Sequence, residues 1–164
     1  MVSAAPYRIG WRIRIARGPI SAVAQPETVE AIRAAVDAVS PRTPEAPGAD
    51  DIGIHEHVID LIDGYVPGFS DMTAALLDAY AAGVKPGARF AELSLQERAA
   101  VFREMSTEEA QDIRDALDAL FVFTLGGMYS EWSARRSGYP RPESWDRVGF
   151  HGPSDGHPDY RKGS

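Results

Sequence analysis

The chain has no cysteine. That excludes disulfides, thiolate catalysis and cysteine-ligated zinc, although it fixes no compartment. It also lacks any apolar run near the roughly 18 residues that a membrane-spanning helix needs. Positive charge is in deficit: 17 Lys and Arg against 24 Asp and Glu leave a formal net charge of −7, which argues against nucleic acid as the main partner. No GxGxxG, P-loop or GxSxG occurs, so the motifs offer neither a dinucleotide site nor a nucleophile elbow. A secretory leader would need an unbroken apolar stretch of about 7–15 residues after its positive region. After Arg17 the chain reads GPISAVAQPE, which is too short and too broken. Arg8, Arg12, Arg14 and Arg17 are not adjacent, so a twin-arginine signal is not read either. The expected location is cytoplasmic. The alternative is periplasmic or extracellular, with a leader removed or carried by a partner.

What is present fits one globular domain. Hydrophobic residues make up 44% and charged residues 25%, near the averages for folded chains. The expected fold is all-α, about five helices, with residues 1–24 as a basic arm, 25–134 as the helical body and 135–164 as an irregular tail. In the arm, Ile9, Trp11, Ile13 and Ile15 alternate with Gly10, Arg12 and Arg14. That period of two predicts a strand over 8–16, which needs an edge to pair with.

Val29, Ile32, Val36 and Val39 predict a helix over 26–39, opened by Pro26. The prolines of SPRTPEAPG stop it. Ile54, Val58, Leu61 and Ile62 mark a second helix of about 51–63. Met72, Leu76, Leu77 and Tyr80 mark a third, with Ser70 or Asp71 as its cap. Two capping boxes follow. Ser94 with Glu97 opens a helix carrying Leu95, Ala99, Phe102 and Met105; Ser106 with Glu109 opens the longest. That one carries Ile113, Leu117, Leu120, Phe121, Thr124, Leu125, Met128 and Trp132, a face wide enough for contact on more than one side. Gly126 and Gly127 inside it each cost about 1 kcal/mol against alanine. Either a neighbour's close approach or a break in the helix accounts for them.

Residues 135–164 hold five glycines and four prolines, as a linker would, but also four aromatics, which a linker lacks. The segment is therefore read as an ordered loop lying on a surface.

Few groups invite chemistry. His55 and His57 are two residues apart, and so point to opposite sides of a helix, whereas a shared metal needs a spacing of four. They are read as a solvated helix start. His151 and His157 in the tail, six residues apart, could meet a ligand or act as acid and base with nearby acids in a stand-alone enzyme. The acids Glu108, Glu109, Asp112, Asp115 and Asp118 have the spacing of a solvated face. No catalytic, cofactor or metal residue is assigned.

The order of elements resembles the gluconate 2-dehydrogenase subunit 3 family over about residues 26–160. The likeness rests on PGADDIGIHEHVIDLID after the first helix, then KPGARFAELSLQERAAVF, then TLGGMYSEW, and finally Trp145, Gly149, Phe150, Gly152 and Pro153. The resemblance implies a non-catalytic small subunit. Its partner would be a large flavoprotein of the glucose–methanol–choline oxidoreductase type, which holds the FAD and oxidises a sugar, sugar acid or related alcohol. The small chain stabilises or matures it, and in many members a twin-arginine signal on the small chain exports the pair. In that setting Trp11 and Ile13 of the arm, and Tyr139, Trp145, Phe150, His151 and Tyr160 of the tail, are the expected partner-binding residues, because aromatics on a preordered loop lose few rotamers on docking. The arm would add to a sheet edge. The alternatives are a helical interaction or regulatory protein with another partner, and an enzyme using His151 and His157.

Overall fold

The structure is a computed structural model, and it describes residues 24–130 and 143–149. These residues are all-α. In chain order they form α1 (Pro26–Val39), α2 (Ile54–Tyr65), α3 (Phe69–Val84), a 3-10 turn (Phe90–Glu92), α4 (Leu95–Ser106), α5 (Gln111–Tyr129) and the short α6 (Glu143–Arg147). The strand expected over 8–16 lies outside the described residues.

Each long helix buries one stripe. Ile32 and Val36 of α1, Ile54, Val58 and Ile62 of α2, Leu77 and Ala81 of α3, Phe90, Val101 and Met105 around α4, and Leu117 and Leu120 of α5 form one core. The spacing of three and four along each helix puts these side chains on one face. Small residues do much of the lining. Thr73, Ala74 and Ala81 share the buried face of α3 with Leu77, while Met72 stands exposed, so that helix uses a narrower apolar stripe than its sequence offers.

Carboxylates tie successive elements together by accepting at exposed helix starts. Asp63 near the end of α2 accepts from Ser70 N at 2.9 Å and Ser70 Oγ at 2.8 Å. Asp78 accepts from Phe90 N at 2.8 Å, and Asp71 from the Thr28 hydroxyl at 2.5 Å. The orphan amides of a helix start thus find charged acceptors, which are stronger than neutral ones. This use of Ser70 corrects the expected cap of α3. The helix starts two to three residues earlier, after Gly68, and Ser70 lies inside its first turn facing Asp63.

The first capping box is present. Ser94 Oγ accepts from Glu97 N at 3.3 Å, and Glu97 Oε2 accepts from Ser94 N at 2.7 Å. That backbone contact holds the Glu97 carboxyl below its ordinary value. The second box is not. Ser106 is the last residue of α4, and its hydroxyl donates to Arg103 O at 2.8 Å, as Thr107 does to Glu104 O at 2.9 Å. Both hydroxyls serve the orphan carbonyls of α4 rather than the amides of α5, which begins at Gln111 with no side-chain cap.

The proline-bearing loop 40–53 folds back on itself. Asp51 accepts from Gly48 N at 2.7 Å and pairs with Arg42 at 2.5 Å. Ala49 N reaches Ser40 O at 2.8 Å. A Cβ at Gly48 would meet the Arg42 backbone nitrogen at 2.6 Å, so only glycine fits.

The two glycines of α5 separate cleanly. A Cβ on Gly127 would stand 2.8 Å from His57 Cδ2 and 3.2 Å from Ile54 Cδ1, so this is the close approach between α5 and α2. At Gly126 nothing lies within 4 Å. Adjacent substitutions are expected to have opposite signs in urea unfolding. Gly126→Ala gains about 0.5 kcal/mol from helix propensity, and Gly127→Ala loses about 1 kcal/mol or more to overpacking. Equal effects at both positions would contradict this packing.

Candidate functional site

Helix α5 is about 28 Å long and touches α1, α2, α3, α4 and α6 along one side. Ala116, Leu117, Leu120, Thr124 and Gly127 face inward. The outward face of its second half is also apolar. Val122 is 62% exposed, Leu125 44% and Tyr129 48%. Gly126 sits among them and is likewise open. Two aromatic contacts border this strip. On one side Phe123 stacks on Tyr65 of α2, with centroids 5.8 Å apart and planes at 5°. On the other, Phe121 meets Phe102 of α4 edge-on at 5.4 Å. Tyr65 and its neighbour Val66 are themselves exposed, which widens the patch at the α2 end.

The first half of the same outward line is polar and acidic. Gln111, Asp112, Asp115 and Asp118 are exposed, and Asp115 accepts from Gln111 Nε2 at 2.6 Å. Arg114, on the flank, turns back to donate to the Glu108 carbonyl, and to Gln111 Oε1 at 2.6 Å. Negative charge is dense enough here to act on a neighbour. Burial and the nearby Glu108, Glu104 and Asp112 carboxylates push the Tyr80 phenol up to about 12. From end to end, Gln111, Asp115, Asp118, Val122, Leu125 and Tyr129 are spaced four, three, four, three and four residues apart. They form one seam along the outward face of the helix, polar in its first half and apolar in its second. The wide apolar set in the sequence contained Phe121 and Leu125, on a face read as touched on more than one side; Val122 and Tyr129 were missed. The alternating three-and-four spacing through the two aspartates was the available signal.

Of the expected partner-binding residues, Trp145 alone is described; Trp11, Ile13, Tyr139, Phe150, His151 and Tyr160 lie outside the described residues, as does His157. Trp145 is only 9% exposed. Its indole N–H donates to Tyr129 O at 2.5 Å, and Ser144 Oγ donates to Met128 O at 2.6 Å. The end of α5 leaves carbonyls that the helix cannot satisfy, and α6 supplies the donors. The ring therefore packs against the helix that carries the seam.

The two helical histidines occupy separate surroundings. His55 Nδ1 is 3.0 Å from Asp50 Oδ1, but off the line of a hydrogen bond. Asp50 is engaged by Arg33 through two bonds of 2.9 Å. His57 lies against Gly127. Burial lowers both imidazoles below their ordinary value, opposed at His55 by Asp50 and at His57 by Asp60. Among the described residues no three His, Asp or Glu side chains come together as a metal site. A cleft of about 250 Å³ beside Glu30, Arg33, Asp37 and Arg98 is charged, but its ions answer one another: Arg98 with Asp37 at 3.0 Å and with Ala91 O at 2.9 Å, and Arg89 with Glu30 at 2.9 Å. It reads as a clasp between α1, α4 and the 3-10 turn. Among the described helices none is long and apolar enough to cross a membrane.

The family model described as gluconate 2-dehydrogenase subunit 3 matches residues 26–152, from the first residue of α1 past the end of α6. The chain belongs to the gluconate 2-dehydrogenase subunit 3 family. No curated protein and no solved structure matches it. A subunit family implies a complex with a dehydrogenase partner.

The histidines give a pH test of the fold. Burial lowers both imidazoles in the folded chain, whereas the unfolded chain takes up protons near pH 6.5. Below that value the unfolded state binds more protons, so stability is full above about pH 7 and falls as the pH drops below about 6.5. Urea midpoints across that range are expected to decline in the wild type and to flatten in the His55→Asn, His57→Asn chain. An unchanged slope in the double variant would remove the histidines as its cause.

Proposed function

We propose that this chain is the non-catalytic small subunit of an FAD-dependent dehydrogenase acting on a sugar, a sugar acid or a related alcohol. The observation that carries this reading is the family match across the whole helical body. The chain's own chemistry is consistent with it. The described residues contain no strand–turn–helix with a glycine-rich turn, the arrangement that cradles a pyrophosphate in dinucleotide-binding folds. On this reading flavin and substrate belong to the large subunit. The small chain binds that subunit as it folds in the cytoplasm, holding it in a soluble, flavin-competent state. The arm residues Trp11 and Ile13, and Tyr139, Phe150, His151 and Tyr160 of the tail, are proposed contributors to the contact. An obligate interface of this kind buries above about 2,000 Å².

Co-expression with the large flavoprotein subunit of its own source tests the reading. The expected result is a stable complex that carries flavin absorbance through size exclusion, with the soluble, flavin-loaded yield of the large subunit several-fold higher than without this chain. A chain that elutes as a lone monomer, beside a large subunit equally soluble and loaded in its absence, would overturn it.

A further inference from the structure

We propose that the outward seam of α5 is the strip on which the dehydrogenase subunit docks, through a helix that is apolar opposite Val122, Leu125 and Tyr129 and basic opposite Asp115 and Asp118. The inference rests on the accessory-subunit reading and adds to it a place and a chemistry. Three observations carry it. Val122, Leu125 and Tyr129 are exposed on one line of α5, so a helix laid along it covers all three. Gly126 lies open in the apolar half, so a second backbone can approach closely there. The seam is also divided by charge, acidic in its first half and apolar in its second.

That division selects the occupant. A second copy lying parallel would set Asp115 and Asp118 against the same aspartates, and like charges facing one another are unfavourable. A second copy lying antiparallel and overlapping along the whole seam would press those carboxylates onto Val122, Leu125 and Tyr129, stripping them of water without a counter-charge. The chain's own arm is basic, but residues 8–16 alternate with period two, which does not mesh with a three-and-four seam. A partner helix with a basic half and an apolar half satisfies both parts, the charges setting its direction and the apolar half supplying the buried area.

The lack of native cysteine makes the test direct, because a single engineered thiol reports on one position. Leu125→Cys, with Val122→Cys as a second reporter, is reacted with a maleimide in the isolated chain and in the purified complex. Fast labelling alone and labelling at least tenfold slower in the complex are expected. Val122→Lys combined with Leu125→Lys is expected to weaken capture of the dehydrogenase subunit at least tenfold, with the chain's own unfolding midpoint unchanged. Asp115→Lys with Asp118→Lys is expected to slow association and flatten its salt dependence; a salt dependence left as in the wild type would overturn the basic half of the proposal. A complex in which both thiols stay fully reactive overturns the seam and leaves the accessory-subunit reading intact. Thiols already protected in the isolated chain overturn it too. Release on dilution would identify a second copy, and release on deletion of residues 1–23 would identify the arm. If no complex forms, both readings fall.

Discussion

A helix whose second half is apolar around most of its circumference must be covered around most of it, and here five helices cover α5 from one side. Its inner line of Leu117, Leu120, Thr124 and Gly127 is fully used. The Gly127 contact fixes how near α2 can come, since the Ile54 and His57 side chains occupy the space where a Cβ would be. With α2 drawn in on one flank and Phe102 of α4 on the other, Phe121 and Phe123 are held at the margins. Val122 and Leu125 between them then have nowhere to go but outward. The exposed strip is thus a geometric consequence of how the core closes.

The rest of the body is built to hold α5 in that position with little apolar mass. Helices α1 to α5 have 12 to 19 residues, and many of their buried residues are alanine or threonine. Polar ties between elements compensate. Asp63, Asp71 and Asp78 each accept from the start of another element, and Arg98 spans α1, the 3-10 turn and α4 while its guanidinium carbon lies 6.0 Å from the centre of the Phe90 ring. Because these acceptors and donors are partly buried, losing one partner would leave the other desolvated and unmet, which costs more than the bond itself contributes. Such ties fix the angles between helices, and a docking strip needs its flanks fixed as much as its own side chains.

Most of the helical order was legible because the punctuation is local. Pro26 and the proline cluster after Val39 bound α1 at the residues expected, and the Ser94–Glu97 box marks the start of α4 to the residue. Ser106 misled for a physical reason: a hydroxyl at a helix junction serves either the amides ahead or the carbonyls behind, and sequence spacing does not say which. Here α4 ends on Ser106, and its carbonyls take the bond. Gly127 was legible as an anomaly and Gly126 as its twin, although only one has a neighbour; the distinction depends on which way α2 lies. The candidate surface was the least legible part. Apolar residues at helical spacing read the same whether they face a core or a partner, and only the packing of α2 and α4 shows that Val122, Leu125 and Tyr129 fall outside it.

An apolar strip left open carries a hazard, since exposed patches of this kind promote association with whatever is near. The chain's excess of acid bears on that. Its formal net charge of −7 and the row of carboxylates leading into the strip oppose contact between copies at long range, before any side chains meet. The same field attracts a basic partner and orients it, because the acids lie at one end of α5 and the apolar residues at the other. Charge therefore governs encounter and direction, while the apolar half determines how long the contact lasts. Neutralising Asp115 and Asp118 would then do more than weaken docking: it would remove what keeps the strip of one copy from the strip of the next.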